Sequence, residues 1–153
     1  MSEEEIKENV GTVYPDKKFT ILLYKKSTEI YDWGVGVTYK SNDKKYKIHG
    51  VQGRASFENI EDCYEKQEEI EKEISLIFDK GKKKNWGILK LHLKGEATKG
   101  STYKPITFDL NNDERAMISC YYYHGNPPHL LKISMFSKEL NEYLKSTPEP
   151  ANN

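Results

Sequence analysis

The chain has 153 residues, and its 24 lysines and arginines balance 24 aspartates and glutamates, so the formal net charge is zero. A chain of this length suits one domain with a single core, one that buries roughly 70% of the unfolded surface. Its apolar runs are only a few residues long, far short of the roughly 18 that a membrane-spanning helix requires, which excludes a span of that kind.

The first stretch, MSEEEIKENV, belongs to an acidic arm over residues 1 to 16 and has no apolar core of the signal-peptide type. It predicts an intracellular chain, cytoplasmic or nuclear. Residues 17 to 146 read as one α+β domain, and the tail STPEPANN, with residues 147 to 153 outside the domain, as disordered.

Three strands are predicted near residues 18 to 26, 33 to 40 and 45 to 52, where aromatic and β-branched residues alternate between turn signals. In the second, Trp33, Val35, Val37 and Tyr39 share a face, and Gly34 and Gly36 leave room on the other for a close approach. In the third, KKYKIHGV, period-two alternation puts Lys45, Lys47 and His49 opposite Tyr46, Ile48 and Gly50.

Residues 57 to 80 repeat apolar side chains at helical spacing through Ile60, Cys63, Tyr64, Ile70, Ile74, Ile77 and Phe78, interrupted by Gln67. This predicts one long amphipathic helix, capped near Asn59, that buries Ile70, Ile74 and Ile77 against the sheet.

Four more strands follow near 86 to 94, 104 to 110, 116 to 124 and 129 to 136. The first of these, NWGILKLHLKG, carries Leu89, Leu91 and Leu93 on one face and Lys90, His92 and Lys94 on the other. SKELNEYLK then predicts a short C-terminal helix through Leu140, Tyr143 and Leu144. The fold class is therefore α+β, an antiparallel-rich curved sheet or OB-like barrel of about seven strands packed on one long helix.

Charge is polarised along the chain. Residues 17 to 56 hold nine cations against three acids, residues 57 to 79 two against nine, and residues 80 to 104 eight against one. If the two Lys/His rows share one side of the sheet, Lys45, Lys47, His49, Lys90, His92 and Lys94 make a patch that attracts phosphate, with Arg54, Lys40 and Lys99 at its margins. The plain alternative is that these lysines are the wet face of a half-buried sheet. Aromatics interleave with the cations at Tyr24, Tyr39, Tyr46 and Trp86, as in surfaces that stack single-stranded bases.

No motif of catalysis or cofactor binding stands against this. GEATKGST has Gly95 and Gly100 but Ser101 where a phosphate loop needs lysine, and no helix follows. CYYYHGNPPH gathers Cys120, His124 and His129 without a metal-ligand spacing, and reads as a hairpin. Cys63 and Cys120 are expected as two separate thiols. Asp32 is read as ending a turn. KFTILLYKK, Trp33-Gly34 and SLIFDKGKKKNWG resemble pieces of the WGR domain of poly(ADP-ribose) polymerases, but no arginine follows Trp33-Gly34 and nothing is carried over from that family.

The sequence thus points to a non-enzymatic binding module without metal or cofactor, whose partner is single-stranded DNA or RNA held on a basic sheet face. The alternative is a protein-interaction or adaptor domain that uses the Tyr-rich strand at 121 to 123 or the acidic helix.

Overall fold

The computed structural model describes residues 10–14, 16–24, 31–78, 82–91, 99–125 and 127–146. Strands β1 (Val10–Val13), β2 (Phe19–Tyr24), β3 (Val35–Lys40) and β4 (Ile48–Phe57) form an antiparallel meander. Helix α1 (Ile60–Ile77) then leads to the far edge of the same sheet, where β5 (Lys82–Asn85) and β6 (Leu89–Lys90) both pair with β7 (Thr102–Asp109). Strands β8 (Arg115–Tyr122) and β9 (His129–Phe136) return to close on β4, and α2 (Lys138–Ser146) follows.

The result is an α+β fold with a nine-stranded antiparallel sheet in the order β1-β2-β3-β4-β9-β8-β7-β5, with β6 beside β5 on the outer edge of β7. An OB-type barrel is not shown, since the path is open with β1 and β5 at its ends. The sheet begins ahead of residue 17, because β1 pairs with β2. Of the strand expected over 86 to 94, residues 92 to 94 lie outside the described residues, and the rest holds only β6, with β5 ahead of it. Between them Gly87 adopts a positive φ of 69°, which favours glycine. The exposed edge strand β5 reads KKKN, and lysines on an edge oppose pairing with another chain.

The helices lie over opposite faces. On the α1 face, Ala55, Ile106, Phe108, Ala116, Ile118, Cys120 and Leu131 form a buried cluster with Cys63 of the helix. On the other face, Leu140 and Tyr143 of α2 join Tyr14, Phe19 and Ile21. Each fully buried Phe, Ile or Leu here contributes about 1.5 to 3 kcal/mol relative to exposure. A Cβ at Gly50 would come 2.8 Å from Leu140 Cδ2 and 3.3 Å from the Met135 carbonyl oxygen, so the second contact is closest there.

Three expectations about α1 change. Asn59 caps it, accepting the Glu61 N–H at 3.1 Å, but the buried helix residues are Cys63 and Gln67. Ile70 and Ile74 are only partly buried and Ile77 is 71% exposed, so the seam does not run to the end of the helix. Gln67, which breaks the apolar stripe in sequence, is fully buried and donates through Nε2 to the carbonyls of Lys104 and Ile118 at 2.6 and 3.0 Å. It serves as a polar link to β7 and β8. The two cysteines are not separate thiols either: Cys63 and Cys120 form a disulfide across 57 residues, with Cα atoms 6.1 Å apart. Both were placed in apolar positions correctly, but helix phase and strand alternation cannot show that the two positions face each other.

No helix among the described residues is long and apolar enough to cross a membrane.

Candidate functional site

Among the described residues of the two Lys/His rows, Lys45, Lys47, His49 and Lys90 do not form one patch. Lys45 and Lys47 precede β4, in a turn where their backbone N–H groups both donate to the Asp43 carboxylate at 2.9 Å. Tyr46 between them has a positive φ of 50°, so strand alternation does not apply there. His49 is the extra residue of a β-bulge, since Thr38 pairs with Gly50 and Tyr39 with Ile48. A bulge re-aims the side chain it carries, and this one sends His49 into the α2 side of the core. There it is 4% exposed, 3.2 Å from Ser137 Oγ and edge-on to Phe19. Burial lowers its pKa, opposed by the Glu139 carboxylate 3.6 Å away.

Lys90 is exposed on β6, and β9, β8 and β7 lie between it and β4. At about 4.8 Å per strand that is nearly 20 Å. His92 and Lys94 lie outside the described residues. Of the residues taken as marginal, Lys40 pairs with Glu139 at 2.6 Å, whereas Arg54 is central to a different arrangement.

Register defines that arrangement. Cys120 faces α1 through its disulfide, so the alternate residues of β8 face the other way. On the α2 side, one row across β4, β9, β8 and β7 reads Gln52, Ser134, Met117, Thr107. The next reads Arg54, Lys132, Ser119, Pro105, and the third reads Ser56, Leu130, Tyr121, Tyr103. Lys84 and Lys82 of β5 continue this face opposite Thr107 and Asp109. Trp86 joins it through Nε1, which donates to Thr107 Oγ1 at 3.0 Å, and Lys84 Nζ lies 3.3 Å from the centre of its ring system.

The rings are ordered. Tyr103 and Tyr121 stack at 5.7 Å with planes 12° apart, and Tyr121 and Tyr123 at 6.5 Å with planes 16° apart. Arg54 lies in the electrostatic range of Tyr123 and Tyr121. Burial pulls its guanidinium below the usual arginine pKa, while the two tyrosines act in the opposite sense. Burial likewise raises the Tyr123 hydroxyl.

Charge is unevenly divided between the faces. Helix α1 presents Glu61, Asp62, Glu65, Glu68, Glu69 and Glu73 to solvent with Lys66 and Lys72 among them, and Lys83 pairs with Glu71 on the same side. The α2 side of β4, β9, β8, β7 and β5 carries Arg54, Lys132, Lys82, Lys84 and Arg115. Its one carboxylate on these strands, Asp109, is held by Arg115 at 2.7 Å.

Gly36 shows why β3 carries glycine on this side: a Cβ would sit 2.6 Å from Gln52 Nε2, so the glutamine crosses the strand where the bare backbone allows it. Asp32 ends the turn before β3, and its carboxylate accepts the N–H and hydroxyl of Ser56. His129 in the Tyr-rich hairpin is buried and accepts the Tyr123 N–H at 3.3 Å, and among the described residues no three His, Cys, Asp or Glu side chains gather to hold a metal.

Sequence reasoning missed Gln52, Arg54, Ser119, Lys132, Ser134 and Tyr103 as a group. Alternation within each strand could have sorted their faces, because Ser119 and Tyr121 flank Cys120. The missing fact was that β4 pairs with β9, some 80 residues away in sequence. Comparison with family models, with curated proteins and with solved structures finds no match to this chain.

Proposed function

We propose that the chain is a non-enzymatic binding module that contacts single-stranded nucleic acid, and that it does so through the α2-side face of β4, β9, β8, β7 and β5. The observation that carries this reading is the uneven division of charge: Arg54, Lys132, Lys82, Lys84 and stacked tyrosines share one face of a sheet whose other face bears the predominantly acidic helix. A polyanion is attracted to the first and repelled by the second. The lysines and arginines meet phosphates, while the tyrosine stack and Trp86 offer π-surface to unpaired bases, where stacking contributes roughly 1 to 3 kcal/mol per base.

The competing reading, a protein partner, has one observation of its own. Val51 and Met135 are direct cross-strand neighbours on the α1 face and are 41% and 40% exposed, an apolar pair that suits a protein contact. Affinity for a labelled single-stranded oligonucleotide separates the two. The nucleic-acid reading expects Lys82→Ala with Lys84→Ala to weaken binding several-fold and Val51→Glu to leave it unchanged. Equal binding by the lysine double variant and the wild type removes this face from the account.

A further inference from the structure

The centre of this face holds polar atoms that the fold leaves without partners. Gln52 Nε2, Ser119 Oγ, Ser134 Oγ and Arg54 Nε are buried and make no hydrogen bond, and the parent residues Gln52, Ser119 and Ser134 are 7%, 0% and 1% exposed. A buried polar group without a partner is destabilising by about 1 to 3 kcal/mol, and folded proteins carry few of them. Here they occupy neighbouring lattice positions. Gln52 stands opposite Ser134, Arg54 opposite Lys132, and Lys132 opposite Ser119. With strands about 4.8 Å apart and same-face residues about 7 Å apart along a strand, the whole group spans about 12 Å along its diagonal.

The chemistry of the group has one sign. An amide NH2, two hydroxyls and a guanidinium N–H can all donate, and Arg54 stands across from a second cationic residue, Lys132. Asp109, the one carboxylate on this face of the four strands, is engaged by Arg115. Such a set of unpartnered donors suits an acceptor-only anion better than a metal ion. The donors come from three strands, β4, β9 and β8, and not from one planar fork. That suits a tetrahedral oxyanion better than a carboxylate.

We propose that Gln52, Arg54, Ser119, Lys132 and Ser134 form a site for a single phosphoryl group, set in the floor of the α2-side face. The site goes beyond the nucleic-acid reading and stands without it, because the same phosphoryl chemistry is offered by free phosphate, by a mononucleotide and by the end of a strand.

The test is the thermal midpoint of the whole chain in inorganic phosphate, in adenosine monophosphate and in oligonucleotides with and without a 5′-phosphate, each against chloride at matched ionic strength. Wild type is expected to show a saturable rise with at least one phosphoryl probe, and the probe that produces it names the source. Ser119→Ala with Ser134→Ala removes two donors without a charge change and should weaken the apparent affinity about tenfold or more. Arg54→Gln should abolish the effect, and Lys45→Ala with Lys47→Ala should keep it. The serine variant guards against misfolding of the arginine one. No phosphoryl-specific rise in the wild type, or a rise of the same affinity in the serine variant, overturns the proposal. Oligonucleotide binding that survives in that serine variant while the phosphate effect vanishes keeps the two proposals apart.

Discussion

Cys63, in the first turn of α1, and Cys120, within β8, are joined by a disulfide that ties the helix to the sheet across 57 residues of chain. Closing a loop of that length restricts the unfolded chain, and by the loop-entropy account the bond contributes about 2 to 4 kcal/mol. Urea denaturation of Cys63→Ala with Cys120→Ala is expected to show a lower midpoint, an unfolding free energy smaller by that amount, and a slope equal to or steeper than that of wild type, because the unfolded chain is freed. Two titratable thiols in the native protein, or an unchanged midpoint in the variant, contradict the bond.

His49 makes stability depend on pH. Its pKa is lowered in the folded chain, chiefly by burial, so between the folded value and the ordinary value near 6.5 the unfolded chain binds the extra proton. Stability contributed by the neutral ring is therefore full above about pH 6.5 and is lost as pH falls below it. His49→Gln should flatten that part of the profile between about pH 7.5 and 5.5 relative to wild type. The carboxylates of Asp16, Asp43, Asp113 and Glu139, whose pKa values are lowered, act further down and do not confuse the window. Parallel profiles for the two proteins would sink the assignment.

Gly50→Ala is expected to be destabilising by about 1 to 3 kcal/mol, because the new methyl meets Leu140 at 2.8 Å and the Met135 carbonyl oxygen at 3.3 Å. Gly87→Ala has no atom within 4 Å of its Cβ, and only the positive φ of 69° opposes it. It should be destabilising by roughly 1 kcal/mol. Equal midpoints for Gly50→Ala and wild type would mean that α2 does not seat on β4.

The helix offers an internal comparison. Ile74 packs against the buried cluster while Ile77 is 71% exposed, so Ile74→Ala should be destabilising by more than 1 kcal/mol and Ile77→Ala by less than about 0.5. The reverse order in denaturation midpoints would place the helix in a different phase.

Much of the fold was legible because it is written in local pattern. The alternation of VGVTYK, the cap at Asn59 and the stripe through Leu140 and Tyr143 each concern residues within a few positions of one another. The candidate site was not, for physical reasons that particular residues make plain. His49 left the lysine row because a bulge adds one residue and shifts the face, and Lys45 and Lys47 left it because Asp43 holds their backbone in a turn. Gln67 looked like a flaw in the stripe because its partners are backbone carbonyls on two strands that sequence does not place beside it. Arg54, Lys132 and Ser119 came together only through long-range register, which no local period encodes.

The central claim, that the α2-side face meets the phosphates of a single strand, is tested most directly by the salt dependence of binding. Displacing counterions from single-stranded nucleic acid gives a slope in log affinity against log salt of about −0.7 per phosphate contact. A labelled single-stranded oligonucleotide titrated against wild type should show such a slope, and Lys82→Ala with Lys84→Ala should flatten it by up to about 1.4, whereas Lys45→Ala with Lys47→Ala should leave it unchanged. Absence of salt-sensitive binding by wild type near 50 mM salt, or a slope unmoved by the β5 lysines, contradicts the account.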